Sequence, residues 1–103
     1  MEFTRDNTAN THNTSLAGYA TVSPATLLAI FGEPILQEHD PRCGGEFVFV
    51  DGGGVPFTVY DFDALERWES HRLHRFHVGA KDGAGPFLEW LAAVTGATVE
   101  QWP

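Results

Sequence analysis

Residues 46–63 (EFVFVDGGGVPFTVYDFD) constrain the fold of this 103-residue chain more than any other stretch. Two short runs rich in Phe, Val and Tyr flank residues 51–54 (DGGG), and such an arrangement is typical of a β-hairpin with a glycine turn. Strand alternation places Val48 and Val50 on one face and Phe47 and Phe49 on the other. Because both faces carry apolar side chains, we expect helices to cover one face. We expect the other face to be partly shielded or to expose aromatic rings.

The segments on either side of the hairpin carry two clear helix signals. Ser23 followed by Pro24 opens an apolar run that ends at Gly32, which predicts a helix with a defined N-cap and C-terminal stop. A second apolar run begins at Pro86 and ends at Gly96. The remaining predictions are a strand over 18–22, a strand over 73–78 for which a helix is the alternative, a short helix over 63–70, and an edge strand or docked tail over 97–103.

The sequence predicts one folded domain over residues 18–103, preceded by a disordered N-terminal tail over residues 1–17. The predicted tail is rich in Thr, Asn and Asp and shows no apolar period, a composition typical of a mobile segment. An aromatic content of 13% allows the remaining residues to bury a sufficient core. We therefore expect an α+β fold, with an antiparallel sheet of three to four strands and two to three helices mainly on one face.

Charge and cysteine content narrow the functional classes. The net charge is −8 with only six Lys and Arg residues, so the basic surface that direct nucleic-acid binding requires is not expected. The single cysteine, Cys43, excludes a disulfide framework within the chain. No stretch resembles a signal peptide or a membrane span, which predicts a cytoplasmic protein that does not bind membranes.

Two groups of residues are candidates for a reactive site, one as metal ligands and one as a nucleophile with its base. His71, His74 and His77 form an H-x-x-H-x-x-H run, but neither helical nor strand spacing brings all three to one point. Cys43 follows His39 by four residues, and the pair is interpreted as turn residues rather than as a nucleophile and its base. The prediction is a non-enzymatic protein with no metal or other cofactor. A hydrolytic or metal-dependent enzyme using His74 or Cys43 is the third alternative.

Three short motifs resemble those of a group of small phage and prophage proteins, most of which have no assigned function. They are residues 31–34 (FGEP) at a helix end, residues 59–62 (VYDF) in a strand, and residues 76–79 (FHVG) in the next strand. The resemblance spans about residues 19–94, and Ala80 stands where that group usually has a second glycine. It implies a phage origin and an α+β fold, and it brings no catalytic residues. Within these motifs we expect His77 to hydrogen-bond a carboxylate such as Asp61.

The leading functional prediction is a phage-derived protein that binds and modulates a host protein, such as a defence or nucleic-acid-processing factor, through an acidic surface. The candidate acidic residues are Glu33, Glu38, Asp40, Asp61, Asp63, Glu66 and Glu69. The alternative is a protein that binds a small ligand or nucleotide signal in a pocket formed by Tyr60, Trp68, Arg72, Arg75, His77, Lys81 and Trp90. Exposed aromatic residues on the second sheet face also make a homodimer reasonable.

Overall fold

The computed structural model describes residues 2–35, 45–61 and 68–102. Within these residues the fold is α+β, with two helices and one antiparallel sheet of six strands. The strands are β1 (Thr4–Arg5), β2 (Ser15–Val22), β3 (Glu46–Val50), β4 (Pro56–Tyr60), β5 (His74–Ala80) and β6 (Thr98–Gln101), and the helices are α1 (Pro24–Phe31) and α2 (Gly85–Thr95). The strand order is β1-β3-β4-β5-β2-β6. The predicted fold class is confirmed, whereas the predicted three to four strands are too few.

The hairpin predicted from the DGGG segment is formed by β3 and β4. Val50 pairs with Pro56, so five residues form the connection between the two strands. Asp51 holds this loop, because its Oδ1 accepts hydrogen bonds from the backbone N–H groups of Gly53 at 2.8 Å and Val55 at 3.0 Å. Gly54 adopts a φ of 80°, which glycine tolerates far better than other residues. The glycines therefore close the hairpin, as the sequence predicts.

Three of the four helix ends lie at the residues that the sequence marks, whereas α2 begins at Gly85, one residue before the predicted start at Pro86. Ser23 is the N-cap of α1, and its Oγ accepts the backbone N–H of Thr26 at 3.3 Å. The N–H of Gly32 donates to the carbonyl of Leu28 and ends that helix. Gly96 ends α2 in the left-handed conformation, with φ 76° and ψ 10°. Capping bonds therefore mark the start of α1 and the ends of both helices, whereas the N-cap of α2, Ala84, makes no side-chain capping bond.

The core lies between the helices and one face of the sheet, here called the helix-covered face. Phe47 and Phe49 of β3 point to this face, as the alternation predicts, and both are buried. The other buried apolar residues of the core cluster are Phe3, Ala20, Val22, Leu27, Phe57, Val59, Phe76, Val78, Ala80, Ala84, Phe87, Leu88, Leu91 and Ala97. The opposite side of the sheet, which neither helix covers, is here called the open face.

The N-terminal residues 1–17, predicted to be a disordered tail, are part of the sheet where the structure describes them. Phe3 is only 5% exposed, and its ring packs against Phe57 and Phe87 with centroid distances of 5.2 Å in both cases. Arg5 donates hydrogen bonds to the carbonyl of Phe31, the last residue of α1, and to the carbonyl of Glu33, two residues beyond it. Partial burial lowers the pKa of the Arg5 guanidinium. One aromatic anchor and one arginine therefore attach the segment to the domain.

Residues 6–14 connect β1 to β2 and cross the three strands that separate them. The crossing is on the open face, because Val48 and Thr58 point to that side and are nevertheless buried. Polar side chains stabilise the connection: both the hydroxyl and the backbone N–H of Thr8 donate to Asp6, and the side-chain bond is 2.7 Å long. These bonds lower the pKa of the Asp6 carboxyl group. The Thr, Asn and Asp side chains of this segment therefore stabilise successive local turns, and the segment is not the disordered tail that was predicted.

The remaining predictions have mixed outcomes. Strands are present in both predicted segments, although β2 begins earlier than expected at Ser15 and β5 continues to Ala80. β6 confirms the edge-strand alternative for the C-terminal segment, and Trp102 follows it. Most of the helix predicted over 63–70 lies outside the described residues. Trp68 and Glu69 at its end lie in a turn.

Candidate functional site on the open sheet face

A row of five residues crosses the open face beside the connection formed by residues 6–14. Strand pairing places Glu46 opposite Tyr60, Tyr60 opposite His77, His77 opposite Tyr19, and Tyr19 opposite Glu100. We call these five residues the open-face row. The neighbouring residues Val48, Thr58 and Gly79 lie beneath the connection and are buried, whereas Glu100 is exposed and the other four members of the row are partly exposed. The row spans five strands, or about 19 Å at the usual strand spacing.

The aromatic rings of the row contact one another across the strands. The His77 ring lies 5.2 Å from Tyr19 in an edge-to-face arrangement and 5.5 Å from Tyr60 in a tilted one. Trp102 extends the series, with its ring centroid 5.9 Å from that of Tyr19. Such cross-strand pairs stabilise a sheet, and on an uncovered face they also present ring surface to a partner.

Arg75 binds the Tyr19 end of the row. Its guanidinium carbon lies 3.6 Å from the centroid of the Tyr19 ring, within the range of a cation–π interaction. Its Nη2 donates to Oε2 of Glu100 at 3.1 Å. One guanidinium therefore contacts an aromatic face and a carboxylate at the same time.

The structure describes three of the seven predicted acidic residues, namely Glu33, Asp61 and Glu69. Glu33 follows α1 and Glu69 lies in the turn before β5, and both are exposed. Four others, namely Glu38, Asp40, Asp63 and Glu66, lie outside the described residues. Asp61 is buried, so the prediction that it faces a partner is wrong.

Asp61 contributes to the interior beneath the helix-covered face. Its side chain is fully buried, and its Oδ1 lies 2.9 Å from Nε2 of His74 in a hydrogen bond. We expected His77 to provide this partner, but alternation along β5 directs His74 and His77 to opposite faces. Asp61 follows Tyr60 at the end of β4, so strand alternation directs its side chain to the face opposite that of Tyr60, which is the side of the core. The acid is therefore structural in this fold.

The residues predicted to form a nucleotide pocket are divided between the two sides of the sheet. Tyr60, His77 and Arg75 lie on the open face. Trp68 packs against Phe47 and Phe76, and Trp90 packs against Phe3, Phe31, Phe49 and Phe87, all on the helix-covered side. Arg72 and Lys81 are exposed just beyond opposite ends of β5. The structure thus brings together three of the seven residues.

The histidine run does not form a metal site in the described residues. His71 is exposed, His74 contacts Asp61, and His77 lies between two tyrosines. Throughout residues 2–35, 45–61 and 68–102, no three His, Cys, Asp or Glu side chains converge in an arrangement that could hold a metal ion. Cys43 and His39 lie outside those residues, so the alternative that uses Cys43 stays a prediction.

Four residues of the site were missed by the sequence reasoning: Tyr19, Glu46, Glu100 and Trp102. The hairpin offered a signal for one of them, because its register places Glu46 opposite Tyr60. The other three are brought to the row by pairing between β2, β5 and β6, which are far apart in sequence. No local pattern specifies that register.

Comparison with protein-family models finds no match to this chain, and comparison with curated proteins finds no significant one. Among the described residues, no helix has the length and apolar character needed to cross a membrane.

Proposed function

We propose that this protein is a non-enzymatic interaction protein of phage origin that binds and modulates a host protein, and that the partner docks on the open-face row through basic side chains. The observation that supports this proposal is the composition of the row. Three aromatic residues lie in register across β4, β5 and β2, with a glutamate at each end. The phage origin is supported by the motifs FGEP, VYDF and FHVG.

The charge of the chain favours a basic partner. A net charge of −8 attracts cationic surfaces over several ångströms and accelerates encounter with them. Glu46 and Glu100 add carboxylates at the two ends of the row itself. The rings between them supply the rigid, amphipathic contact area that is enriched where proteins bind one another.

Aromatic residues on a sheet also stack with nucleic-acid bases, so nucleic acid is a second candidate occupant of the open-face row. Proteins that bind single strands combine such rings with a positively charged path for the phosphates. Here the row ends in Glu46 and Glu100, and the whole chain is strongly acidic. The net charge of −8 and the carboxylate of Glu46 would repel phosphates, which favours a protein partner.

Affinity capture with matched variants tests the proposal. The bait is exposed to bacterial lysate at physiological salt, and the retained protein is identified by mass spectrometry and then titrated in purified form. Trp102→Ala and His77→Thr each remove one ring, and Leu73→Ala is the control because Leu73 is an exposed apolar residue outside the row. We expect each ring variant to weaken binding by about tenfold or more, and Leu73→Ala to bind like wild type.

Three outcomes of this experiment would overturn the proposal. A partner that binds the ring variants as tightly as wild type docks elsewhere on the molecule. Nucleic acid as the retained species would assign the rings to base stacking. A second copy of the chain as the sole occupant, detected as a dimer by sedimentation, would assign the row to self-association.

The small-ligand alternative is favoured by one observation, the position of Arg75 beside the Tyr19 ring. Such an arrangement suits a nucleotide, because the ring can stack with the base while the cation pairs with the phosphate. A panel of nucleotides in a thermal-shift assay separates the two proposals, because a ligand that binds only the folded protein raises its melting temperature. The interaction proposal expects no shift, and a shift that Arg75→Gln abolishes would favour the alternative.

A further inference from the structure

The contact between Arg75, Tyr19 and Glu100 defines a site with a specific ligand chemistry. The guanidinium lies 3.6 Å from the ring centroid of Tyr19, while Glu100 accepts a hydrogen bond from it at 3.1 Å. Tyr19 and Glu100 are direct strand partners, so the ring and the carboxylate are held side by side by the sheet. A planar guanidinium can satisfy both contacts together, since it stacks on aromatic faces and donates hydrogen bonds from its edge.

The protein's own arginine occupies this site weakly. The side chains of Arg75 and Glu100 are 53% and 58% exposed, and ion pairs with such exposure contribute little to stability. Arg75 lies on β5 two residues before His77 of the row and is paired with Thr21. Its long side chain reaches diagonally across to Tyr19. A rotamer change would return its guanidinium to water, where it is well solvated. Another guanidinium can therefore replace it at small cost.

We propose that Tyr19 and Glu100 bind an arginine side chain of the partner, and that this arginine replaces Arg75. The inference rests on the proposed function, because the arginine belongs to the basic partner described there. Arg75 acts as an internal ligand that contacts the ring and the carboxylate in the free protein. The charge of −8 supports a cationic ligand, and the stacked geometry selects arginine over lysine.

Two short peptides serve as probes, one with two arginines separated by glycines and one with lysines in their place. Binding is followed by the chemical shifts of backbone amides in a titration of the intact protein. We expect the arginine peptide to shift the amides of Tyr19 and Glu100 and to bind about threefold more tightly than the lysine peptide. Equal affinity of the two peptides, or shifts confined to other residues, would overturn the inference.

Matched variants separate competition at the site from general electrostatics. Arg75→Gln removes the internal ligand and one positive charge, and Lys81→Gln removes one exposed positive charge beyond the end of β5. We expect Arg75→Gln to strengthen binding of the arginine peptide by about threefold more than Lys81→Gln does. Equal effects of the two substitutions would mean that only net charge matters, and the inference would fail.

Loss of the site itself gives the complementary test. Glu100→Gln removes the carboxylate at an exposed position, where little effect on folding is expected, and Tyr19→Leu removes the ring face. We expect both to weaken the arginine peptide by about threefold, with folding checked by circular dichroism. If the captured partner is lost from Trp102→Ala but is unaffected by Glu100→Gln and Tyr19→Leu, the proposed function stands and this inference fails. If all row variants retain the partner while the peptide still binds at Tyr19, the proposed function fails together with the assignment of the arginine to that partner, and only the arginine-binding site itself stands.

Discussion

Gly79 and Thr58 lie directly opposite each other where β4 and β5 pass beneath residues 6–14. A Cβ atom on Gly79 would be 2.5 Å from Oγ1 of Thr58, closer than non-bonded atoms approach. The other nearby atoms, in Ser15 and Thr14, would be at ordinary contact distances of 3.6 and 3.7 Å. The glycine of the FHVG motif is therefore required by one hydroxyl group on the neighbouring strand.

A double-mutant cycle tests this explanation. Gly79→Ala alone should lower the free energy of unfolding by about 1–3 kcal/mol, because the overlap displaces the strand or the Thr58 side chain. In a Thr58→Ala background the same substitution should cost about 1 kcal/mol less, since the clashing hydroxyl is gone. Urea denaturation measures both values, and Gly83→Ala is the control because nothing lies within 4 Å of its added Cβ. Additive effects of the two substitutions would show that the overlap is relieved in another way.

At the scale of elements, the predictions that succeeded depend on local chemistry. Ser23, Pro24 and Gly96 mark helix ends through capping bonds within a few residues, and the DGGG loop closes a hairpin of neighbouring strands. Strand β1 has only two residues, and its place in the sheet depends on Phe3 and on contacts with α1. Such long-range contacts leave no period in the sequence.

The site was only partly predictable for the same reason. The predicted pocket contains Tyr60, His77 and Arg75, which do share the open face, but it also contains core tryptophans that face the other side of the sheet. Alternation within one strand gives relative faces, whereas the face that the helices cover is decided by packing of the whole sheet. Alternation along β4 groups Asp61 with Phe57 and Val59, but it does not tell which face the helices cover, and Asp61 was therefore misassigned to the surface.

The N-terminal anchor leads to a prediction at this scale. Phe3→Ala should lower the free energy of unfolding by about 3 kcal/mol, because a buried ring that contacts Phe57, Phe87 and Trp90 is replaced by a methyl group. Glu2→Ala, at an exposed neighbour, should change it by less than about 0.5 kcal/mol. Chemical denaturation gives both values. Equal stability of Phe3→Ala and wild type would mean that residues 1–17 contribute nothing to the core and behave as the tail that composition indicates.

At the scale of the whole molecule, the helices and the sheet leave two different surfaces. The helix-covered face is filled by aromatic and aliphatic side chains, which include most of the buried core. On the open face, residues 6–14 cover the part around Thr58, and the open-face row remains next to that cover. The fold therefore separates the residues that stabilise it from those proposed to bind the partner, so row variants can be studied without loss of the core.

The net charge of −8 makes the salt dependence of partner binding the decisive measurement at this scale. If charge steers the basic partner, its association rate should fall steeply as salt rises, because the screening length shrinks from about 10 Å at 0.1 M to about 3 Å at 1 M. Glu33→Gln and Glu69→Gln, at exposed positions outside the row, should mainly lower the association rate. Trp102→Ala should instead raise the dissociation rate, because it removes ring contact that exists only in the complex. Stopped-flow or surface-binding kinetics separate the two rates. Persistent tight binding at about 1 M salt would contradict the electrostatic part of the proposal and would leave the aromatic contacts to account for the affinity.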